Sequence, residues 1–271
     1  MLSFRFISGS EDFTPRLVTS YDGYAAADFE QNIQDSGMGD GGMLGSTRIP
    51  PRYLSLSFDV QTDDEREKVI RLFSPRKMFT HIVSRGNISR QITVYVSAMS
   101  ISQETIYDFH RVKLSLVCPD PYFYSIDDYG RDIARVTPQF AFPLAFSPSI
   151  IAGYSDTVND IALTNEGHDI CGLQIRIVAN NDCSNITVTN TDTGEYIRFI
   201  GELLQGQVLE ISTVPKQKYV RLNGVNAMNR IDRRSCFFSL ETGVNHINYD
   251  TDTGRYNIAV YLHFKRRFLG V

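Results

Sequence analysis

The fold class is decided by the stretch Tyr53-Leu54-Ser55-Leu56-Ser57-Phe58-Asp59-Val60, in which apolar and polar side chains alternate. Alternation is the period of a β-strand, because successive side chains point to opposite faces of a sheet. The stretch therefore predicts a strand with one buried face. The pattern returns in five further stretches, at residues 92–96, 112–116, 173–177, 186–188 and 256–264. Short strands at this density predict a mainly β protein built from barrels or sandwiches.

One helix is predicted directly after that first strand. Residues 62–65, Thr-Asp-Asp-Glu, have the spacing of a capping box, with the threonine as N-cap and the glutamate three positions later. The two aspartates between them suit the positive end of the helix dipole, so we interpret the acidic cluster as capping rather than catalytic. Ser74-Pro75 predicts the end of the helix.

Length and charge exclude several classes of protein. The 271 residues suggest about two domains at roughly 150 residues per domain, and 42% of them are hydrophobic, which excludes wholesale disorder. The net charge of −4 leaves no basic excess to drive nucleic-acid binding. Residues 136–155 are uncharged but contain three prolines, which exclude an ordinary membrane helix, and the N-terminus lacks a signal-peptide pattern.

No motif of reactive side chains occurs in the sequence. The cysteines Cys118, Cys171, Cys183 and Cys236 form no C-x-x-C pair, and we expect them to be reduced and mostly buried. The five histidines lack metal-ligand spacing, and neither H-E-x-x-H nor G-x-S-x-G is present. We therefore expect a protein that is not an enzyme, with no catalytic residue, metal or cofactor, although distant residues could still converge in the fold.

A short repeat predicts two tight turns. Residues 191–196, Thr-Asp-Thr-Gly-Glu-Tyr, recur at 251–256 as Thr-Asp-Thr-Gly-Arg-Tyr, and both copies lie between strand-like stretches. Asp and Thr suit a type I turn, and the glycine supplies a positive φ, so we predict that both copies are hairpin turns. Calcium binding is excluded because the glycine and glutamate positions of an EF-hand loop are not met.

Residues 21–51 break the strand pattern. They hold five glycines between positions 37 and 45, end in Pro50-Pro51 and have weak periodicity. An irregular excursion of this length inside a compact domain is unusual and is often functional. A phosphate-binding loop is disfavoured because no strand–turn–helix context surrounds Gly37-x-Gly39 and no Lys-Ser/Thr follows it. We interpret the excursion as an arm that orders against a neighbouring subunit.

The end of the first half of the chain resembles a known family. Residues 116–124, Leu-Val-Cys-Pro-Asp-Pro-Tyr-Phe-Tyr, resemble the C-x-D-P-Y-x-Y signature that ends the first domain of siphophage distal tail (Dit) proteins. Tyr21-Asp22-Gly23 before the glycine-rich excursion and Pro51-Arg52 after it agree with this resemblance. Residues 201–224 resemble the second domain of the family, and Phe268-Leu269-Gly270-Val271 resembles its typical end.

The resemblance implies a specific architecture. It comprises an N-terminal split β-barrel with one helix at residues 1–135, a Pro-rich linker at 136–150 and a C-terminal galectin-like β-sandwich at 151–271. Residues of about 21–51 would form a belt around the adjacent subunit of a hexameric ring. The implied belt-interface residues are Tyr21, Asp22, Gly23, Gly37, Gly39, Gly41, Gly42, Pro50 and Pro51, and the implied barrel-closing residues are Cys118, Asp120, Pro121, Tyr122 and Tyr124.

The resemblance also implies a structural hub at the distal end of a phage or prophage tail, assembled in the host cytoplasm. Implied partners are the tail tube protein, a tail-associated (Tal-like) tip protein, the tape-measure protein passing through and a receptor-binding protein, with no specific nucleic-acid binding and no membrane span. Two alternatives stay open. A galectin-like sandwich suits a carbohydrate-binding adhesion module, although the chain has no Trp as a sugar platform. A cell-wall hydrolase would need paired carboxylates, which no position suggests.

Overall fold

The structure is a computed structural model that describes residues 2–35, 37, 40–103, 109–127, 129–132 and 160–271. The chain forms two compact units, of which the first contains residues 1–126 and 267–271 and the second contains residues 127–266. The predicted linker, residues 136–150, lies outside the described residues. Within those residues, no helix is long and apolar enough to cross a membrane.

The first unit is built mostly from strands. Its elements, up to the point where the chain leaves it, are β1 (Leu2–Ser8), β2 (Glu11–Phe13), β3 (Leu17–Asp22), β4 (Glu30–Asp35), β5 (Gly42–Arg48), β6 (Arg52–Val60), α1 (Asp63–Leu72), β7 (Met78–Arg85), β8 (Ile88–Ser102), β9 (His110–Cys118) and β10 (Phe123–Ser125). Seven strands form one antiparallel sheet in the order β2-β1-β7-β8-β9-β6-β3, and β10 pairs with β8. In the described part of the chain no pairing joins β2 to β3, so this sheet is open.

The predicted alternation in β6 is confirmed. Leu54, Leu56 and Phe58 are buried, whereas Tyr53 and Ser55 are exposed. Fully burying a Leu or Phe side chain contributes about 1.5–3 kcal/mol, so one face of this strand stabilises the sheet against a core rich in phenylalanine. The class of fold, mainly β with one α-helix in the first unit, is as predicted.

The capping of α1 is also confirmed. The Glu65 N–H donates to the Thr62 hydroxyl oxygen over 3.2 Å, and the Glu65 carboxylate accepts from the Gln61 N–H over 3.2 Å. These two bonds satisfy backbone donors that the start of a helix leaves without an internal partner. The helix ends at Leu72, just before Ser74-Pro75.

The structure corrects the prediction of an irregular excursion at residues 21–51. The excursion is regular rather than irregular, because β4 and β5 pair antiparallel from Glu30↔Arg48 to Asp35↔Gly42. Every residue of both strands is exposed. A strand pair with no buried face has no reason to alternate apolar and polar residues, which is why its period was invisible in the sequence.

The second unit is a sandwich of two antiparallel sheets. Its strands are β11 (Tyr129–Asp132), β12 (Asp160–Asn165), β13 (Cys171–Ala179), β14 (Cys183–Asn190), β15 (Tyr196–Leu203), β16 (Val208–Ser212), β17 (Tyr219–Leu222), β18 (Val225–Asn226), β19 (Ser239–Leu240), β20 (Gly243–Thr253) and β21 (Ile258–Phe264). One sheet has the order β11-β21-β13-β16-β17-β18 with β19 beside β13, and the other has the order β12-β20-β14-β15. One core cluster, including Phe199 and Tyr249, contains buried residues from both sheets.

The two copies of the repeated turn differ in role. Residues 191–196 connect β14 to β15, which pair with each other, so this copy is the predicted hairpin turn. Residues 251–256 leave β20 for β21, and these strands lie in different sheets, so the second prediction was wrong. Gly254 has φ +73° and a Cβ there would overlap the Asp182 carbonyl, which makes it a corner between the sheets.

The final residues of the chain return to the first unit. Strand β22 (Arg267–Phe268) pairs antiparallel with β10, through Phe123↔Phe268 and Tyr124↔Arg267. The sequence placed these residues with the second domain. We call Arg267–Val271 the terminal segment.

Candidate functional site: the arm, its base and the terminal segment

The hairpin β4–β5, which we call the arm, presents apolar side chains to solvent. The exposed fractions of Ile33, Met43 and Leu44 are 63%, 75% and 60%. No arm residue belongs to the core cluster of the first unit. An exposed salt bridge of 2.8 Å between Arg48 and Glu30 lies where the two strands begin and end. Ile33 and Leu44 lie directly opposite each other in the hairpin, and an exposed apolar patch is typical of a protein–protein interface.

The arm base is the pair of segments Tyr21–Asp28 and Pro50–Tyr53, which carry the chain into the arm and out of it. These segments line a cavity of about 430 Å³ together with Pro121. Gly23 has φ +84°, and a Cβ at this position would overlap the Tyr53 carbonyl oxygen. Only glycine therefore allows the two segments to approach this closely.

Arg52 is the residue at which the predicted motifs meet. Its side chain is buried, with the residue only 6% exposed, and its guanidinium lies 5.0 Å from the centre of the Phe123 ring. The guanidinium donates to the carbonyl oxygens of Pro121 over 2.9 Å and Gly23 over 2.8 Å, and also to that of Leu269. One side chain thus ties the arm base to the Asp-Pro-Tyr motif and to the terminal segment.

The Asp-Pro-Tyr motif folds around one carboxylate. Asp120 accepts from the Tyr124 hydroxyl over 2.6 Å and from the Tyr122 N–H over 3.4 Å. Burial is the main cause that raises the pKa of Tyr124 to about 12, and it likewise raises the pKa of the Cys118 thiol to about 12. These groups therefore stay protonated near neutral pH, and the motif is a packed corner rather than a reactive centre.

The basic residues near the C-terminus are partners of aromatic rings rather than a solvated face. The Arg267 guanidinium lies 4.4 Å from the centre of the Tyr122 ring and donates to the Tyr124 hydroxyl over 3.3 Å. In the second unit, Arg266 lies 3.5 Å from the centre of the Tyr129 ring and 2.8 Å from the Glu166 carboxylate. Arg266 and Arg267 are thus packed against aromatic rings of their own units, whereas Lys265 is exposed.

The structure brings six of the fourteen predicted site residues together around one cavity. Tyr21, Asp22, Gly23, Pro50, Pro51 and Pro121 line the cavity at the arm base. Gly37, Gly41 and Gly42 lie at the far end of the arm, and Gly39 falls outside the described residues. The importance of Arg52 was missed, although its position two residues before Leu54 places it in the inward-facing register of β6. A charged residue in that register is a signal that the sequence did contain.

No pattern in the sequence distinguished His81 from the other histidines. It is fully buried, its ring stacks on Phe6 with ring centres 4.1 Å apart, and its two nitrogens lie 3.1 Å from the Tyr24 hydroxyl and from the Arg5 carbonyl oxygen. A carbonyl oxygen only accepts, so Nδ1 donates to Arg5 and Nε2 accepts from Tyr24. The neutral ring therefore anchors Tyr24, which belongs to the arm base.

We expect acid to destabilise the first unit through His81. Burial lowers the pKa of His81 to about 3, whereas an unfolded histidine titrates near 6.5. Between these values the unfolded chain binds a proton that the folded chain does not, so stability falls as pH falls, by about 2 kcal/mol from pH 6.5 to pH 5. Urea denaturation at several pH values, followed by amide exchange in the first unit, measures this loss.

The variant His81→Gln should lack this part of the pH dependence. His246→Gln is the matched control, because His246 is exposed in the second unit and pairs with Asp192 over 3.0 Å. This control should leave the acid sensitivity of the first unit unchanged. Equal slopes for the wild type and His81→Gln would contradict the assignment.

The four cysteines differ in exposure. Cys118, Cys171 and Cys183 are buried, Cys236 is exposed, and all four are free thiols, as predicted. In the described part of the chain, no group of three His, Cys, Asp or Glu side chains is arranged to hold a metal ion.

Comparisons with known proteins agree with this architecture. Residues 166–268 match the family model described as the siphovirus-type tail component, C-terminal domain. The solved structure of SPP1 Dit (gp 19.1), described as a paradigm of the hub adsorption apparatus in phages that infect Gram-positive bacteria, superposes with a TM-score of 0.74 at 16% identity. The alignment covers 98% of this chain and 99% of that one. No curated protein gives a match.

Two further structures have a similar fold. They are the phage P2 baseplate in its activated conformation with Ca and with Sr, at 12% identity and TM-scores of 0.55 and 0.56, each covering 98% of both chains. The family match of residues 166–268 and the similarity in fold over nearly the whole chain agree with the resemblance to the distal tail (Dit) family that residues 116–124 indicated.

Proposed function

We propose that the chain is the structural hub protein of a siphophage or prophage tail tip, where six copies form a closed ring. The observation that carries this proposal is the family match of residues 166–268, joined to a first unit whose arm exposes Ile33, Met43 and Leu44. The hub would join the tail tube to the tip or baseplate proteins at the distal end of the virion tail, after assembly in the host cytoplasm.

The arm supplies the chemistry for self-association. Burying its apolar side chains against another copy is favourable by about 25 cal/mol for each Å² of apolar surface removed from water. A contact between an arm and a different patch of the next copy is heterologous, and such contacts generate a ring when the rotation closes. In this proposal, the arm is the belt, and the residues from Tyr21 to Pro51 form the subunit interface.

The remaining roles follow from the same proposal. The partners are the tail tube protein, a Tal-like tip protein, the tape-measure protein passing through the ring and a receptor-binding protein. Cys118, Asp120, Pro121, Tyr122 and Tyr124 close the first unit next to β10, and the protein performs no catalysis. The domain limits expected from the sequence, 1–135, 136–150 and 151–271, stay a proposal except at two places: residues 129–132 lie in the second unit, and residues 267–271 lie in the first unit.

The experiment that tests the ring is the native mass of the purified chain over a range of concentrations. We expect a species of about 184 kDa, six times the chain mass of 30.7 kDa. A mass of one chain at high concentration, alone and mixed with the tail tube protein, would contradict the proposal. Binding of the second unit to a glycan array would instead favour the carbohydrate-binding alternative.

A further inference from the structure

The terminal segment makes a dense set of contacts with the first unit. Phe268 and Arg267 pair with β10, and the Arg90 guanidinium lies 3.8 Å from the centre of the Phe268 ring. Phe268 and Val271 both pack against the core cluster of the first unit. The segment therefore completes the first unit, although the whole second unit precedes it in the chain.

The backbone of the segment is held at three successive residues. Arg52 donates to the Leu269 carbonyl oxygen, Arg90 donates to the Gly270 carbonyl oxygen, and the Val271 N–H donates to the Tyr24 carbonyl oxygen over 3.0 Å. Hydrogen bonds from charged donors contribute more to stability than hydrogen bonds from neutral donors. Two of the three partners, Arg52 and Tyr24, are arm-base residues.

Gly270 fits against the arm base without room for a side chain. It is buried, and a Cβ there would overlap the carbonyl oxygen of Ala25. The Tyr24 hydroxyl also donates to the buried His81 ring, while the Tyr24 carbonyl oxygen accepts from Val271. Tyr24, which leads into the arm, is therefore held by both the core and the terminal segment. Removing the segment would take one hydrogen-bond acceptor from Arg52 and one from Arg90, and it would remove Gly270 from its position beside the Ala25 carbonyl oxygen.

We propose that the terminal segment is an assembly latch: it fixes the arm base, so the arm becomes competent for assembly only after the chain beyond the second unit has been made. Residues 267–271 leave the ribosome after residues 127–266, and β10 has no β22 partner until then. A nascent chain would expose an arm with a loosely held base. Premature ring contacts between incomplete chains would thereby be disfavoured. The consequence for the ring rests on the proposed function, whereas the latch itself does not.

The first test uses the full chain carrying Gly270→Val, with Gly86→Ala as the matched control. Gly86 lies in the first unit, has φ +61° and has open space around its Cβ position, so its substitution strains the backbone without touching the segment. We expect amide exchange at residues 21–28 to be at least tenfold faster in Gly270→Val, with less than threefold change in the control and none in the second unit. Wild-type protection at residues 21–28 in Gly270→Val would overturn the proposal.

The second test decides the question even if Gly270→Val fails to fold. Ribosome-stalled chains are prepared with the wild-type sequence emerged up to residue 266 or beyond residue 271, and the arm base is probed by limited proteolysis. We expect protection only in the longer chain, and equal protection in both would overturn the latch. Native mass separates the two proposals. A wild-type chain that is not a hexamer contradicts the proposed ring. The latch is tested independently of that result, by proteolysis and amide exchange.

Discussion

Replacing Arg52 with leucine is expected to destabilise the first unit by about 3–5 kcal/mol, because three carbonyl oxygens lose a charged donor and each buried acceptor left unsatisfied costs about 1–3 kcal/mol. The carbonyl oxygens of Gly23, Pro121 and Leu269 would each lose the donor that the guanidinium supplies. Leucine fills part of the volume but donates no hydrogen bond. Urea denaturation of the variant, with amide exchange to isolate the first unit, measures the loss.

Arg111→Leu is the matched control for this prediction. Arg111 lies on the neighbouring strand β9, is half-exposed and contacts Asp59 over 3.1 Å. The Arg111 side chain is 52% exposed and that of Asp59 is 13% exposed, so this partly exposed pair should contribute clearly less than the loss of about 3–5 kcal/mol expected for Arg52. Arg52→Lys should fall between the two, because one ammonium lacks the planar fork that reaches three acceptors. A loss below 1 kcal/mol in Arg52→Leu would contradict the central role of this residue.

Deleting residues 35–45 is expected to abolish the ring while leaving both units folded. The deletion removes Met43 and Leu44 but no residue of either core cluster, so the free energy of unfolding of the isolated chain should change little. The pairs from Glu30↔Arg48 to Asn32↔Ser46 would remain, joined by the two residues Ile33 and Gln34. Native mass and thermal unfolding measure the two outcomes.

A gentler version keeps the arm at full length. Met43→Ser with Leu44→Ser removes exposed apolar surface, whereas Gln31→Ser with Gln34→Ser changes only polar residues of the same hairpin. We expect the first pair of substitutions to shift the mass toward single chains and the second pair to leave the oligomer intact. If the deletion destroys cooperative unfolding, the arm belongs to the core and its role as an interface is refuted.

The sequence predicted those features that depend on neighbours along the chain. The alternation at residues 53–60 determined the strand β6 and its buried face, because side-chain direction in a strand has a period of two. The capping box at Thr62 determined where α1 begins, since its two hydrogen bonds are made between residues three and four positions apart. The order of the motifs was sufficient to indicate the family, before any contact between them was known.

No local sequence pattern predicted the two strands of the arm. Its strands β4 and β5 bury neither face, so no hydrophobic period indicated them. The glycines that suggested an irregular excursion lie mainly near the end of the arm, where Gly41 has φ +94°. The glycine content therefore suggested an irregular excursion, and only the structure showed the two paired strands.

Two identical tetrapeptides show most directly what local sequence leaves open. Thr-Asp-Thr-Gly at 191–194 and at 251–254 has a glycine with positive φ in each case, +74° and +73°. The sequence determined that conformation, because glycine adopts it without strain. Whether the chain then continues in the same sheet or crosses to the other depended on which strands pair with β14 and β20.

The sequence by itself thus determined the β class, the capped helix and the hairpin turn at residues 191–196 from residues close together in the chain, and the order of its motifs indicated the family resemblance. Only the tertiary structure decided that Gly23, Pro121 and Leu269 converge on Arg52, and that the terminal segment belongs to the first unit. The physical reason is that Arg52 and Leu269 are 217 residues apart, and a hydrogen bond across that separation forms only when the packing of the whole chain has brought its two ends together.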